Sequence, residues 1–396
     1  MNFKKAFQIW QEADSLLQQT RFLDSISIFQ KAYQLYPQHD WYALYIGDIY
    51  AYYLNNIEKA LEWYEKPLIE GKNRLTTDTL SPLRYLLKRV AHQYYLKQEW
   101  EKAVCYYEWF ISFQPSNFHD GEFIRYAEAL RAMGKLDQAK DVLALGIKHS
   151  RSRQLRKAWN QYSTDPMDVP PMEPIRNGFL RIPVKTDIIM PGDSISDMVD
   201  LYTKKQRKKG DILTIASCVV AVAERRIYSV DSIYPSVLAK TLSKFVHDDQ
   251  FPFGGNAPLC NPLSMQAAIQ ECGTFRILFS ALIGGMISKL IPGSGMFYRM
   301  AGSQAALIDD MPGAIPPFDY YVVLGPKNSK TTCNEIKKAT GHEAAVIDAN
   351  DLQIAWAVAC SDPKLKKPIE AAMQDNPAGN GDQQTPIILL RPAGNE

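Results

Sequence analysis

The chain lacks most of the features that would place it at once. Its six cysteines (Cys105, Cys218, Cys260, Cys272, Cys333 and Cys360) form no C-x-x-C pair, and none stands at zinc spacing from a histidine. That leaves no disulfide framework and no zinc-finger signature. Most of these thiols sit in apolar contexts, where cysteine packs as a small hydrophobe, so the chain reads as reduced and cytoplasmic. It also lacks an excess of either charge. Lys and Arg number 45 against 43 Asp and Glu, a formal charge of +2, which makes no case for nucleic acid as a partner. No apolar run is long enough to span a bilayer. The most membrane-like stretch, "ILFSALIGGMI" (Ile277–Ile287), stops short of Lys289 and Pro292 and reads as a buried helix. The opening "MNFKKAFQIWQEADSLL" meets Glu12 and Asp14 before any apolar run develops, unlike a secretory signal. There is no Walker spacing of glycines, no Ser-His-Asp order and no cysteine-nucleophile signature.

What remains is ordinary in bulk: 46% hydrophobic and 22% charged residues over 396 positions, as expected of a globular chain of two or three domains. The informative excess is aromatic. Twenty-one tyrosines and seven tryptophans are present, and many fall in the first third.

That third is periodic. With Pro37 at the last position of a tetratricopeptide (TPR) unit, Ala13, Phe29 and Ala32 fall on the template's small and aromatic positions. A second unit places Gly47, Tyr50, Ala60 and Tyr64 in the same roles, with one extra residue in the turn. A third gives Ala91, Tyr94, Ala103, Tyr107 and Pro115, and a fourth Ala127, Ala139 and Val142 or Leu143. Small residues let the two helices of a hairpin approach, aromatics fill the groove to the next hairpin, and proline stops the second helix. Residues 3–150 resemble TPR proteins, which implies a right-handed superhelix whose concave face holds a peptide or protein partner. Tyr42, Tyr45, Tyr53 and Trp63 are read either as lining that face or as inter-hairpin core. The basic run "KHSRSRQLRKAW" (Lys148–Trp159) reads as a solvated capping helix or a charged patch. Four prolines in "STDPMDVPPMEP" then mark a linker. The domain plan is 1–160 for the repeats, 161–177 for the linker and 178–396 for a second domain.

From Ile182 the period changes. "RIPVKTDIIMPGDSISDMVDLYTKK" reads as a strand, a Pro-Gly-Asp turn and a helix beginning near Ser194. "GDILTIASCVV" reads as a strand, with Ile212–Val222 buried on both faces. "SVLAKTLSKFV", "MQAAIQECG" and the segment from Ile277 read as helices; "YYVVLG", "AAVIDAN" and "TPIILLR" as short strands. Helices alternating with buried strands make an α/β or α+β domain.

The order of these segments is similar to that of the factor-420 gamma-glutamyl ligase family. "IPVKTDIIMPGDSISDMV" and "GDILTIASCVVAVAERRI" look like its opening. "NEIKKATGHEAAVIDAND" resembles its helix, Thr-Gly turn and strand, and "GNGDQQTPIILLR" its glycine-rich turn and last strand. "MAGSQAALID" takes the place of its Asn-Ala-Gly-Ile-Asp segment. The resemblance implies attachment of glutamate to a carboxylate, with GTP (or ATP) as co-substrate, Mn or Mg as the metal, and a homodimer through this domain.

Carried over by position, Asp348 and Gln304 stand where the family binds metal, and Ser217, Arg226 and Asn350 near nucleotide. Glu224 and Arg299 are the candidate catalytic pair, Glu224 orienting an arginine or the incoming amine. The carry-over is incomplete. Val222 takes the place of a lysine and cannot neutralise phosphate. Ala349 replaces a threonine, Leu352 an arginine, and Asn380 stands in the late glycine-rich turn. Asp348 also reads as a simple turn residue, and Glu224 with Arg226 as a local ion pair. "KKQRKK" (Lys204–Lys209), "HDD" (His247–Asp249) and "GSG" (Gly293–Gly295) read most simply as loop. Two functions follow: a TPR-recruited amide ligase, or a non-catalytic adaptor whose ligase-like domain serves binding or dimerisation.

Overall fold

A computed structural model describes residues 3–71, 81–113, 120–149, 153–167, 174–246, 258–284, 296–309, 315–350, 353–379 and 383–393. The chain divides into two compact units. The first is Met1–Pro170 with Val230–Ser232 and Pro316–Tyr320; the second is Pro171–Ser229, Ile233–Ile315 and Tyr321–Glu396.

The first unit is a TPR-like helical repeat. Its helices are α1 (Phe3–Gln18), α2 (Phe22–Leu35), α3 (Trp41–Asp48), α4 (Ile57–Gly71), α5 (Pro82–Leu96), α6 (Trp100–Phe113), α7 (Asp120–Ala132), α8 (Leu136–His149) and α9 (Arg153–Tyr162). Consecutive helices pack as hairpins, and the first helix of one hairpin touches the first of the next, α3 on α5, α5 on α7 and α7 on α9. The template positions explain this stacking. Ala13, Ala60, Ala91, Ala103, Ala127 and Ala139 are wholly buried, and Phe29, Tyr64 and Tyr107 fill the space between them. Gly47 is the tightest contact: a Cβ there would lie 2.2 Å from the Tyr64 ring.

The extra residue of the second unit is not in the turn between its helices. It is taken up in the first helix, where Ile49–Tyr53 form a π-helical turn directly after α3. A π turn is how a helix absorbs one inserted residue without losing its register. Of the four aromatics, Tyr42 and Tyr45 are buried against Phe29, while Tyr53 packs on Phe22 and Trp63 edge-on to Tyr33. The capping helix α9 turns Leu155 and Ala158 inward. Beyond it, Trp159 Nε1 donates to the Asp165 carbonyl, and Asn160 exchanges two hydrogen bonds with the Met167 backbone.

The second unit is α/β. Six strands run in the order β1 (Ile175–Arg176), β2 (Phe179–Val184), β8 (Ile387–Pro392), β3 (Ile212–Ala216), β6 (Glu343–Asn350) and β7 (Ile354–Cys360). Only β3 and β6 are parallel. A separate antiparallel pair joins β4 (Ile227–Ser229) to β5 (Tyr321–Val323). The helices are α10 (Ile195–Thr203), α11 (Ser217–Ala223), α12 (Val237–Ser243), α13 (Pro262–Cys272), α14 (Thr274–Phe279), α15 (Met296–Ala301), α16 (Ser303–Ala306), α17 (Ser329–Thr340) and α18 (Lys366–Met373). No described helix is long and apolar enough to cross a membrane.

Strict alternation divides the sheet into two faces. Leu213, Ile215, Ala344, Val346, Ile387 and Leu389 pack with residues of α10, α11 and α17. Ile212, Ala345, Ile347, Ile388 and Leu390 pack against α18. With both faces covered, each central strand reads as one unbroken apolar run.

The run Ile212–Val222 is not one strand. The ladder ends at Ala216, and Ser217 begins α11. An apolar stretch that is buried all round carries neither period, so composition alone does not place the switch. Strand β7, which the sequence reading passes over, closes the sheet edge as an antiparallel partner of β6. The helix read from near Ser194 falls where the pattern puts it, with the Ser194 Oγ accepting from the Asp197 amide as its cap. By contrast, β1, β4, α15, α16 and α18 are not read from the sequence, and the segment from Ile277, read as buried, exposes Phe279 and Leu282.

Candidate active site

The strand-to-helix switch after β3 builds the site. Because β3 and β6 run parallel with Ala216 opposite Ile347, the first residue of α11 and the next residue of β6 meet. Ser217 Oγ donates to Asp348 Oδ1 at 3.3 Å. The alternation of β6 sends Val346 to the α11 face and Ile347 to the other, so Asp348 returns to the α11 side. A register shift between Val346 and Ile347, against β7, lies immediately before it. Bulges of this kind recur beside functional residues, where they re-aim a side chain.

The electrostatics there are unusual. Burial pushes the Asp348 carboxyl up to about 6, the charge of Asp309 adds to the rise, and the Ser217 hydrogen bond opposes it. The neighbouring Cys218 thiol is also pushed up, by burial first and then by the same two carboxylates. Asp309 follows α16, and its amide is tied to the Val323 carbonyl. The Asp348 carboxylate thus meets a hydroxyl and feels the charge of a second carboxylate. Among the described residues, no group of three or more His, Cys, Asp or Glu assembles a complete metal cage.

Carboxylate and hydroxyl oxygens are the donor types that a hard divalent cation takes, with waters or phosphate oxygens as its remaining ligands. The sequence reading missed Asp309. It assigned the second position to Gln304, five residues earlier in "QAALID", when the segment also held a carboxylate.

The other candidates go elsewhere. Gln304 Oε1 accepts from Arg226 Nη2 at 2.9 Å, and its amide nitrogen donates to the Pro326 carbonyl. Its side chain thus faces Arg226. That guanidinium is fully engaged: Nη1 and Nη2 make a two-point pair with Glu271 at 3.0 and 2.7 Å, and Nε donates to the Gly325 carbonyl. Arg226 in turn holds the Glu271 carboxyl below its usual range. Gly325 permits this packing, since a Cβ there would lie 2.6 Å from that of Leu307.

Glu224 pairs with neither arginine nor a free amine position. Each of its carboxylate oxygens accepts a backbone amide, from Lys327 at 2.7 Å and Asn328 at 3.1 Å, at the entry to α17. A carboxylate at a helix N-terminus is favourably placed for the dipole, so its role is to fix this turn. Arg299 is exposed on α15, and Val222 is buried in α11. Lys204, Lys205, Lys208 and Lys209 are exposed in a loop, as read from the sequence. The Asn350 side chain, Leu352, Asn380, His247–Asp249 and Gly293–Gly295 lie outside the described residues.

Two solved structures similar to part of the chain are a "Crystal structure of MamA" and a "Crystal structure of MamA protein". Each is 14% identical. The first covers 38% of this chain and 81% of its own at a TM-score of 0.31; the second covers 40% and 81% at 0.33. No curated protein matches the chain. The model of the family "F420-0:Gamma-glutamyl ligase" matches residues 183–362, a span that holds β3, α11, β6 and the Ser217–Asp348–Asp309 cluster. The second unit accordingly carries a gamma-glutamyl-ligase family domain.

Proposed function

We propose that the second unit is an amide ligase of the gamma-glutamyl type. It takes GTP or ATP as co-substrate and Mg or Mn at Asp348 and Asp309, and the repeat unit recruits its acceptor. The observation that carries this reading is the half-buried Asp348 carboxyl, held by Ser217 and raised to about 6 by burial and the charge of Asp309. A site that concentrates negative charge away from water stabilises a bound cation at the same place. In such a reaction the acceptor carboxylate takes the terminal phosphoryl group, and the amine then displaces phosphate to form the amide. The metal, when bound, supplies charge neutralisation for the polyphosphate. This chain's residues supply position: Ser217 fixes the Asp348 carboxylate, and Glu224 anchors the turn into α17.

A second reading, the non-catalytic adaptor, has its own support. Val222 is buried where the resembled family has a cation, and Arg226 is matched by Glu271. Calorimetric titration of the chain with GTP, then ATP, with and without Mg or Mn, separates the two. Metal-dependent binding that Asp348→Ala and Asp309→Ala both abolish supports the ligase. Absence of binding for either nucleotide leaves the adaptor.

A further inference from the structure

The first unit buries more charge than any part of the proposed active site, and the repeat template does not call for it. Arg89 on α5 is wholly inaccessible, and Lys88, Asp48 on α3 and Glu122 on α7 are nearly so. All lie on the first helices of successive hairpins. Arg89 Nε donates to Asp48 Oδ1 at 2.9 Å, and Lys88 Nζ pairs with Glu122 Oε1 at 2.7 Å. The remaining donors of both cations meet one carboxylate that the helices do not supply. Asp319 takes a two-point pair from Arg89 at 2.6 and 3.1 Å, and Lys88 at 3.0 Å.

The residue after it is recognised as closely. Tyr320 sends its hydroxyl to Asp48 Oδ2 at 2.7 Å, and its ring lies 5.6–5.8 Å from the rings of Trp41, Tyr45 and Tyr85. Phe318, on the other side, is buried. Two cations converging on one carboxylate, beside an aromatic box with a hydrogen-bond acceptor at its base, form the recognition surface of a peptide-binding module. Here the chain itself fills that surface.

We infer that the first-helix face of the repeat unit is a binding site for a short peptide carrying an aspartate between aromatic residues, with Phe318–Asp319–Tyr320 as its resident occupant. An outside partner of that chemistry binds by exchange with this segment. Tethering gives the resident an effective concentration on the order of millimolar, so a weaker or scarcer peptide does not enter. The inference stands whether or not the second unit is catalytic.

The test uses the full chain and a fluorescent peptide of the sequence Ile-Pro-Pro-Phe-Asp-Tyr-Tyr, read by anisotropy. Wild-type protein gives no saturable binding at micromolar peptide. Asp319→Ala, which keeps the helices and loses the resident anchor, binds the peptide, and binds a version with alanine in place of its aspartate at least tenfold more weakly. Equal binding of both peptides, equal binding by wild type, or no binding by a folded variant overturns the inference. Should the variant not fold, hydrogen exchange on wild type decides the matter. Millimolar peptide accelerates exchange at 316–320 while its alanine version does not; identical exchange with both overturns it.

Discussion

Asp319, buried, and Asp348, half-buried, are aspartates from the later part of the sequence, and they stand in opposite electrical surroundings. Burial works against the charge of each. At Asp319, Arg89 and Lys88 overcome it and hold the carboxyl well below its usual range. At Asp348 the charge of Asp309 adds to the effect of burial, and the group rises to about 6. In the first environment both oxygens meet cationic donors, Oδ1 from Arg89 and Oδ2 from Arg89 and Lys88. The second is a deficit that only a bound cation, or a proton, removes. Burial alone therefore does not tell a structural carboxylate from a functional one; the partners do.

The sharpest way to break this contrast is to remove the first charge. Asp319→Asn leaves Arg89 and Lys88 buried and under-neutralised, a loss on the order of 3–5 kcal/mol, read by urea unfolding. Because the folded state depresses this pKa, the contribution is full above the ordinary aspartate value, about 4, and fades as pH falls. Wild type and variant should converge in acid and part at neutral pH.

The corresponding change at Asp348 should have the opposite sign. Asp348→Asn removes a charge the metal-free protein does not accommodate. Wild type holds its full stability below about pH 4 and loses it as pH rises through about 6. The variant should gain on the order of 2–3 kcal/mol above that point and nothing in acid. Thermal melts in chelator across that range check it, and added Mn should cancel the variant's advantage. A smaller effect refines the same comparison. Ser217→Ala deletes the one hydrogen bond that favours the ionised form, so the Asp348 midpoint should move up by less than about 1, measured by carboxyl carbon-13 titration.

Legibility in the sequence followed range. The TPR template was readable because its small and aromatic positions recur within one hairpin, and Ala60, Tyr64, Ala103 and Tyr107 landed where the period put them. Most strands and helices of the second unit were readable for the same reason. The switch at Ser217 was not, because Ile212–Val222, apolar but for the hydroxyls of Thr214 and Ser217, offers no phase. The pairing of Asp348 with Ser217 was foreshadowed only by resemblance. Asp309 was hidden by an amide at Gln304 that fits the segment of the resembled family but turns to Arg226. Arg89 and Asp319, 230 positions apart, left no local trace at all.

The membership of Pro316–Tyr320 in the repeat unit has a consequence for heredity and for the bench. A chain cut after residue 170 keeps every helix of the repeats and loses one of the two carboxylates that pair with a wholly buried arginine. The unit is thus contiguous as a list of hairpins but not as a piece of gene. Exon shuffling, truncation for expression and transplantation onto another enzyme would each separate Arg89 from the residue that completes it. What looks like a portable module has been made to travel only with the rest of its chain.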